Sequence, residues 1–386
     1  MGNDVEAIGR PSVDDTPAAW RPTLGAWADE DATRFRVWAP APRSVDLVVA
    51  GEAAAPEPMA RDQHGYWELR TADVRPGDRY WYRLDGDRTL PDPASRFQPE
   101  GVHGPSEVID PRAFAWTDLG WMGTSLQHLI IYELHIGTFS PAGTFAGAAA
   151  RLDEVARLGA TAIELMPVAE FPGERNWGYD GVDLFAPSRA YGTPDDLRSL
   201  VDAAHALGLA VILDVVYNHL GPEGAYLTAY SPDYFTERHR SPWGAGVNLD
   251  GAHSEHVRAF FIENALHWLT EYHVDGFRLD ATHALCDDGP QHFLAEWVSR
   301  VRAAHPRAIV MAEDERKLRR MVSPQAAGGW GFDAVWADDF HHAVRRHIAG
   351  DEHGYYRDYT GTADEIACTL REGWLVTERR GTDPTG

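Results

Sequence analysis

The chain has 386 residues, with 35 Lys and Arg against 59 Asp and Glu, and a formal net charge of −24. A field of that sign repels polyphosphates and anionic lipid, so no nucleic acid and no membrane surface is expected as a partner. Hydrophobic residues at 44% and charged residues at 24% describe a globular chain long enough for two domains.

In chain order, the first fifteen residues have neither a basic n-region nor an apolar h-region, so no secretory signal is expected there. No apolar run approaches the length that crosses a bilayer. Short β-rich runs follow at 34–38, 45–49, 66–69 and 80–84, separated by Pro and Gly. They predict a small β-sandwich. Residues 90–111, rich in Pro and Gly, read as a connecting segment rather than a packed element.

From about residue 127 the rhythm changes to strand, loop and helix. Strands are predicted at 129–139, 161–168, 210–219, 274–281, 308–314 and 333–339, with helices at 148–158, 194–207, 254–272 and 290–304 and a helix-like stretch at 340–350. An insertion occupies about 218–251. The near-continuous apolar strands are those of a buried parallel sheet. Asp214, Asp280 and Glu313 fall at the C-terminal ends of three different strands, where a TIM-type barrel builds its active site. An open doubly wound sheet is the alternative, but no Gly-rich phosphate loop follows the first strand. The expected fold is an α/β (β/α)8 TIM-type barrel, with only about six strands found, preceded by an N-terminal immunoglobulin-like β-sandwich. The expected division is a sandwich with connector at 1–116 and an incomplete catalytic barrel at 117–386. Cys286 and Cys368, far apart and without metal-like spacing, are expected to be buried free thiols in a reducing, cytoplasmic compartment.

The chemistry-bearing residues cluster on these strand ends. Arg278 and Asp280 are two apart on a strand and share a face. A guanidinium beside a carboxylate favours the ionised form that a nucleophile needs, though a structural ion pair would look the same. Glu313 ends the next strand, and strands spaced ~4.8 Å apart bring two such carboxylates to the separation of a retaining glycosidase, roughly 5 Å. Asp314 and Glu315 read as solvated loop acids. Asp214 and Asn218 are placed to tie down the Arg278 region, and His219 to hydrogen-bond a sugar hydroxyl. Fourteen each of Trp, Tyr and Phe supply flat faces for sugar rings, or simply fill cores.

DVVYNH (214–219), GFRLDATH (276–283) and the Glu of MAEDE, together with MPVAEF (166–171) and NWGYDGV (176–182), occur in the order and rough spacing of glycoside hydrolase family 13, the α-amylase family. The resemblance runs from about Thr33 to the end. It implies Asp280 as nucleophile, Glu313 as general acid/base and Arg278 as the group orienting Asp280. It implies that Asp214, Asn218 and His219 support the first sugar subsite, that Tyr179 stacks on its ring, and that His283, where many α-amylases carry Lys, lies on the aglycone side. No cofactor and no metal is implied.

An N-terminal sandwich is shared by branching enzymes, isoamylase-type debranchers and maltooligosyltrehalose trehalohydrolases. Segments 34–40, 90–108, 176–224, 230–251 and 275–285 resemble the last group. That resemblance implies hydrolysis of the α-1,4 bond next to a terminal trehalose, on a maltooligosyltrehalose supplied by a synthase acting upstream. The alternatives are a 1,4-α-glucan branching enzyme or a catalytically impaired glucan-binding fragment. Family members carry a third catalytic Asp in an Asn-His-Asp segment after the sixth strand, and no such segment occurs here. His341 and His342 sit earlier, on the loop after the sixth strand. The expectation is a truncated product, poorly soluble through its unclosed sheet edges.

Overall fold

The structure, a computed structural model, describes residues 20–51 and 55–375. The first fifteen residues and the tail from residue 376 lie outside the described residues, so the expectations placed on them are not addressed by it.

Two antiparallel sheets open the described chain. One orders Gly25–Ala28, Thr33–Trp38, Tyr66–Thr71 and Ala60–Arg61; the other orders Glu57–Pro58, Val45–Val49, Arg79–Leu84 and Arg88–Leu90, with Ser106–Glu107 also paired to Arg79–Leu84. Alternation decides which face is buried. Tyr80, Tyr82 and Leu84 turn inward with Val45 and Leu47, against Phe35, Val37 and Trp67 from the first sheet.

Residues 90–111 do not behave as an unpacked connector, because residues 91–98 are all buried. Their Pro-rich backbone cannot join a ladder, so polar side chains satisfy it instead. Asp92 accepts from the Tyr80 hydroxyl (2.7 Å), the Tyr82 hydroxyl (3.1 Å) and the Ala94 N–H (2.8 Å). Arg96 donates to the Leu24 and Ala94 carbonyls at 2.6 and 2.9 Å, and the Tyr230 hydroxyl, from the distant insertion, donates to the Pro91 carbonyl at 2.7 Å. The segment is an irregular plug holding the sandwich to the remainder of the chain.

Six parallel strands come next: β1 (Ile131–Leu134), β2 (Ala162–Leu165), β3 (Ala210–Val215), β4 (Gly276–Leu279), β5 (Ile309–Glu313) and β6 (Ala334–Trp336). They pair in chain order, each with the next. A doubly wound sheet reverses its order at a switch point, and this one does not. It is the sheet of a TIM-type barrel. On one face Ile163, Leu165, Val211, Leu213, Phe277, Leu279 and Val310 pack on the helices α1 (Pro194–Ala206), α2 (Ser254–Glu271) and α3 (Phe293–Ala304). On the other, Ala162, Ala210, Ile212, Ile309 and Met311 form a separate inner cluster. α1 starts where a capping box forms between Thr193 and Asp196, with Pro194 at the first turn.

Local departures have local causes. The strand expected over 129–139 stops at Leu134, and Ile136–Phe139 is one helical turn. The helix expected at 148–158 is broken into Phe145–Ala149 and Leu152–Arg157, where Arg151 leaves helical geometry and donates to the Phe139 carbonyl. The insertion holds a short helix, Leu227–Tyr230, and a hairpin of Phe235–Ser241 with Gly244–Val247. His341 and His342 lie within helix α4 (Asp338–Ala349) rather than on a loop, and a further helix, α5 (Ala363–Glu372), follows. Both cysteines are free thiols but half-buried, not fully buried. Among the described residues no helix is long and apolar enough to cross a membrane.

Candidate active site

β3 and β4 run in register so that Asp214 stands opposite Arg278. Both side chains are buried, and one guanidinium nitrogen, Nη1, reaches both Asp214 oxygens at 3.0 Å. The same nitrogen donates to Asp280 Oδ1 at 2.9 Å, while Nη2 lies 3.0 Å from Glu313 Oε2. One cation therefore gathers three carboxylates from the ends of three adjacent strands. The Trp336 ring of β6 stands 5.1 Å from the Arg278 guanidinium carbon and closes the site from that side.

Each carboxylate is held differently. Asp280 takes the Asn218 amide N–H at 2.9 Å, and the Asp280 carbonyl takes the same amide at 3.0 Å. Asp214 takes the Tyr179 hydroxyl at 2.9 Å. Glu313 Oε2 accepts the Ala281 N–H at 2.9 Å, and the Thr282 hydroxyl donates to the Glu313 carbonyl at 2.7 Å. Burial pushes the Asp214 carboxyl up to about 7, against the Arg278 bonds. Burial also raises Glu313, opposed by Arg278 and the Ala281 N–H and reinforced by the neighbouring Asp280 charge. Arg278 is raised: burial works against its charge, and Asp214, Glu313 and Asp280 outweigh it.

The structure thus brings Asp214, Arg278, Asp280, Glu313, Asn218 and Tyr179 into one hydrogen-bonded unit. Asn218 holds Asp280 directly rather than the Arg278 region. His219 borders the unit, with Nδ1 2.5 Å from Asn218 Oδ1 and Nε2 2.9 Å from the Tyr179 carbonyl. Both ring nitrogens already face protein oxygens, so a sugar hydroxyl would have to displace one of them. The ring is stacked on Trp243 of the insertion hairpin at 4.6 Å and 7°. Together they line an open cavity of about 440 Å³ with Leu220, Phe235 and Thr236. His283 stands apart on the turn after β4, its Nε2 3.9 Å from Glu315. Asp314 is not a solvated loop acid. It is buried, accepts the Thr282 hydroxyl at 2.8 Å, and is held below the usual carboxylate range because its Arg316 bonds outweigh burial.

Sequence reasoning missed Trp336, Trp243 and the support role of Thr282 and Asp314, because each is an ordinary residue in its own segment and only the fold sets Trp243 against His219 and the others beside the carboxylate cluster.

The alpha-amylase catalytic domain family matches residues 108–242, and carbohydrate-binding module 48, described as the isoamylase N-terminal domain, matches residues 23–111. The chain thus carries an α-amylase-family catalytic segment behind a carbohydrate-binding module 48 segment. It is 48% identical to a malto-oligosyltrehalose trehalohydrolase of Saccharolobus solfataricus over 89% of this chain and 60% of that protein. It is 46% identical to the Deinococcus radiodurans protein of the same name, over 89% of this chain and 55% of the relative. A solved Salmonella typhimurium structure superposes with a TM-score of 0.84 at 42% identity, covering 91% of this chain and 60% of that one. The chain thus spans about 60% or less of the length of these relatives.

Proposed function

We propose that the chain carries the sugar-binding module and the reacting carboxylates of a retaining α-glucan hydrolase that releases trehalose from maltooligosyltrehalose. One observation carries the reading: Asp280 and Glu313 are held by the two terminal nitrogens of a single guanidinium. That arrangement suits the separation of a retaining pair, roughly 5 Å.

In this reading Asp280 attacks the anomeric carbon while Glu313 gives its proton to the leaving oxygen. The C1–O bond breaks, the Asp280–C1 ester forms, and trehalose departs. Water then attacks C1, its proton returns to Glu313, and Asp280 is freed. The rise of Glu313 keeps a proton available for the first step. Arg278 follows the negative charge as it passes from Asp280 to Glu313 and back. Asp214, Asn218, His219 and Tyr179 form the first sugar subsite, with His283 on the aglycone side.

The two carboxylates suffice for both half-reactions without a metal or cofactor. The division lies near residue 116, the location is cytoplasmic, and the functional partner is a maltooligosyltrehalose synthase. The trehalohydrolase reading rests on the two relatives' names, and the retaining chemistry on the geometry.

The test is a product assay of this chain with maltooligosyltrehalose and, in parallel, a plain maltooligosaccharide. Free trehalose from the first substrate, lost in Asp280→Asn, supports the reading. Transfer to a second glucan chain would support a branching enzyme instead. Binding without turnover would make the chain a glucan-binding piece.

A further inference from the structure

The inner face of the sheet carries a buried acid that the mechanism above does not use. Glu164, on β2, is fully buried, and neither of its carboxylate oxygens has a hydrogen-bond partner among the described residues. It lies in register with Ile212 of β3, so Asp214, two residues further along, is its diagonal neighbour on the same face. Ala162, Ile212, Ile309 and Met311 make that face apolar. The other buried group of the cluster without a partner is Arg278 Nε.

Charge counting gives the acid a role. Asp214, Asp280 and Glu313 already share one cation. A fourth carboxylate charge in the same low-dielectric space would repel Asp214 and compete for Arg278.

We propose that Glu164 is a positioning residue of the carboxylate cluster: held neutral behind Asp214, it leaves Arg278 to Asp280 and Glu313, and its ionisation in alkaline solution uncouples them. The charged groups facing it are Glu133 of β1, Asp214 of β3 and Arg278 of β4. Burial, then repulsion from Asp214, pushes its carboxyl up to about 8, with Glu133 adding to the rise and Arg278 opposing it. An ordinary carboxyl would have ionised far below neutrality.

The proposal rests on the glycosidase reading, but its first readout does not. The infrared difference between this chain and Glu164→Gln at neutral pH should contain a protonated-carboxyl C=O component, over and above those of buried Asp183, Glu170 and Asp214, that fades in the wild type as pH rises through about 8. Glutamate-labelled wild-type protein should show, by carbon NMR, a carboxyl resonance titrating at about 8, separate from that of buried Glu170, which burial pushes up to about 7. This second readout stands even where the variant folds poorly. In activity assays Glu164→Gln should stay within about threefold of wild type at neutral pH and lack the wild-type loss on the alkaline side. A fully ionised Glu164 at neutral pH overturns the proposal, as does a Glu164→Gln pH profile superimposable on wild type. A chain that turns over neither substrate while the neutral carboxyl is seen counts against the glycosidase reading and not against the neutral acid.

Discussion

Asp214 and Arg278 stand opposite each other on neighbouring strands, and one guanidinium nitrogen bonds both carboxylate oxygens at 3.0 Å. That nitrogen and its twin also hold Asp280 and Glu313, so the site depends on a planar, forked donor rather than on positive charge alone. Lysine offers a point charge on a flexible stem. Arg278→Lys should therefore lower kcat about 100-fold or more, by releasing Asp280 or Glu313 from its aligned position. Arg278→Met, which leaves two buried carboxylates and the half-buried Glu313 without a cation, should cost about 3–5 kcal/mol of stability. Urea denaturation and turnover of the two variants check this; a stable Arg278→Met would mean that the carboxylates take up protons without strain.

Ala281 is left-handed, at φ 41°, and its N–H points to Glu313 at 2.9 Å. A non-glycine residue seldom adopts this conformation unless its surroundings impose it. The strain sits between the carboxylates of Asp280 and Glu313. Ala281→Gly should remove it and leave turnover within about threefold of wild type, with stability changed by no more than about 1 kcal/mol. Ala281→Val adds a β-branch at positive φ and should swing the N–H away from Glu313, lowering kcat at least tenfold. Equal turnover in the two variants would show that the N–H does not position the acid.

The sheet and the acids at its strand ends were legible because buried parallel strands are long apolar runs and an acid at the end of such a run stands out. Asp214, Asp280 and Glu313 all have that signature. Glu164 does not: one acid inside TAIELMPV looks like part of the strand, and only the absence of a partner distinguishes it. Segment 91–98 misled for the opposite reason. Pro and Gly forbid regular structure, which says nothing about burial, and the side chains of Asp92, Ser95 and Arg96 supply the hydrogen bonds that let it be buried. The break in the helix at Arg151 depends on a contact with Phe139, twelve residues earlier, that no local pattern encodes.

The plug makes a prediction for the sandwich. Asp92 is the common acceptor for two buried tyrosine hydroxyls and the Ala94 N–H. Asp92→Ala orphans all three donors and should destabilise by about 3 kcal/mol or more. Tyr82→Phe, which removes only the longer of the two tyrosine bonds, should cost about 1 kcal/mol. Denaturation followed by tryptophan fluorescence distinguishes them, and equal losses would show that the Tyr82 bond alone carries the contribution of the Asp92 network.

The base of the barrel is held by a titrating clasp. His205 on α1 places Nδ1 2.8 Å from Asp118 and Nε2 3.0 Å from Asp275, while its ring stacks on Trp121 at 4.7 Å. His273 shares Asp118 at 2.9 Å, and Asp275 also accepts the Trp121 indole N–H and the Val211 amide. Burial alone would lower the His205 pKa, but hydrogen bonds and charge from Asp275 and Asp118 outweigh it and the value is raised. A raised folded-state pKa means the stabilisation is fully present below the unfolded value, about 6.5, and is lost as pH rises through the folded value. Asp118 is shifted down by His273 and His205 against burial, so its share is present at neutral pH and lost only in acid. His205→Phe keeps the stack on Trp121 and removes both ring nitrogens. Thermal melts of the two proteins should differ most near pH 6, by about 2–3 kcal/mol, and converge toward pH 9. A gap that stays constant over that range would mean the ring nitrogens act only as uncharged hydrogen-bonding groups, with His205 neutral throughout.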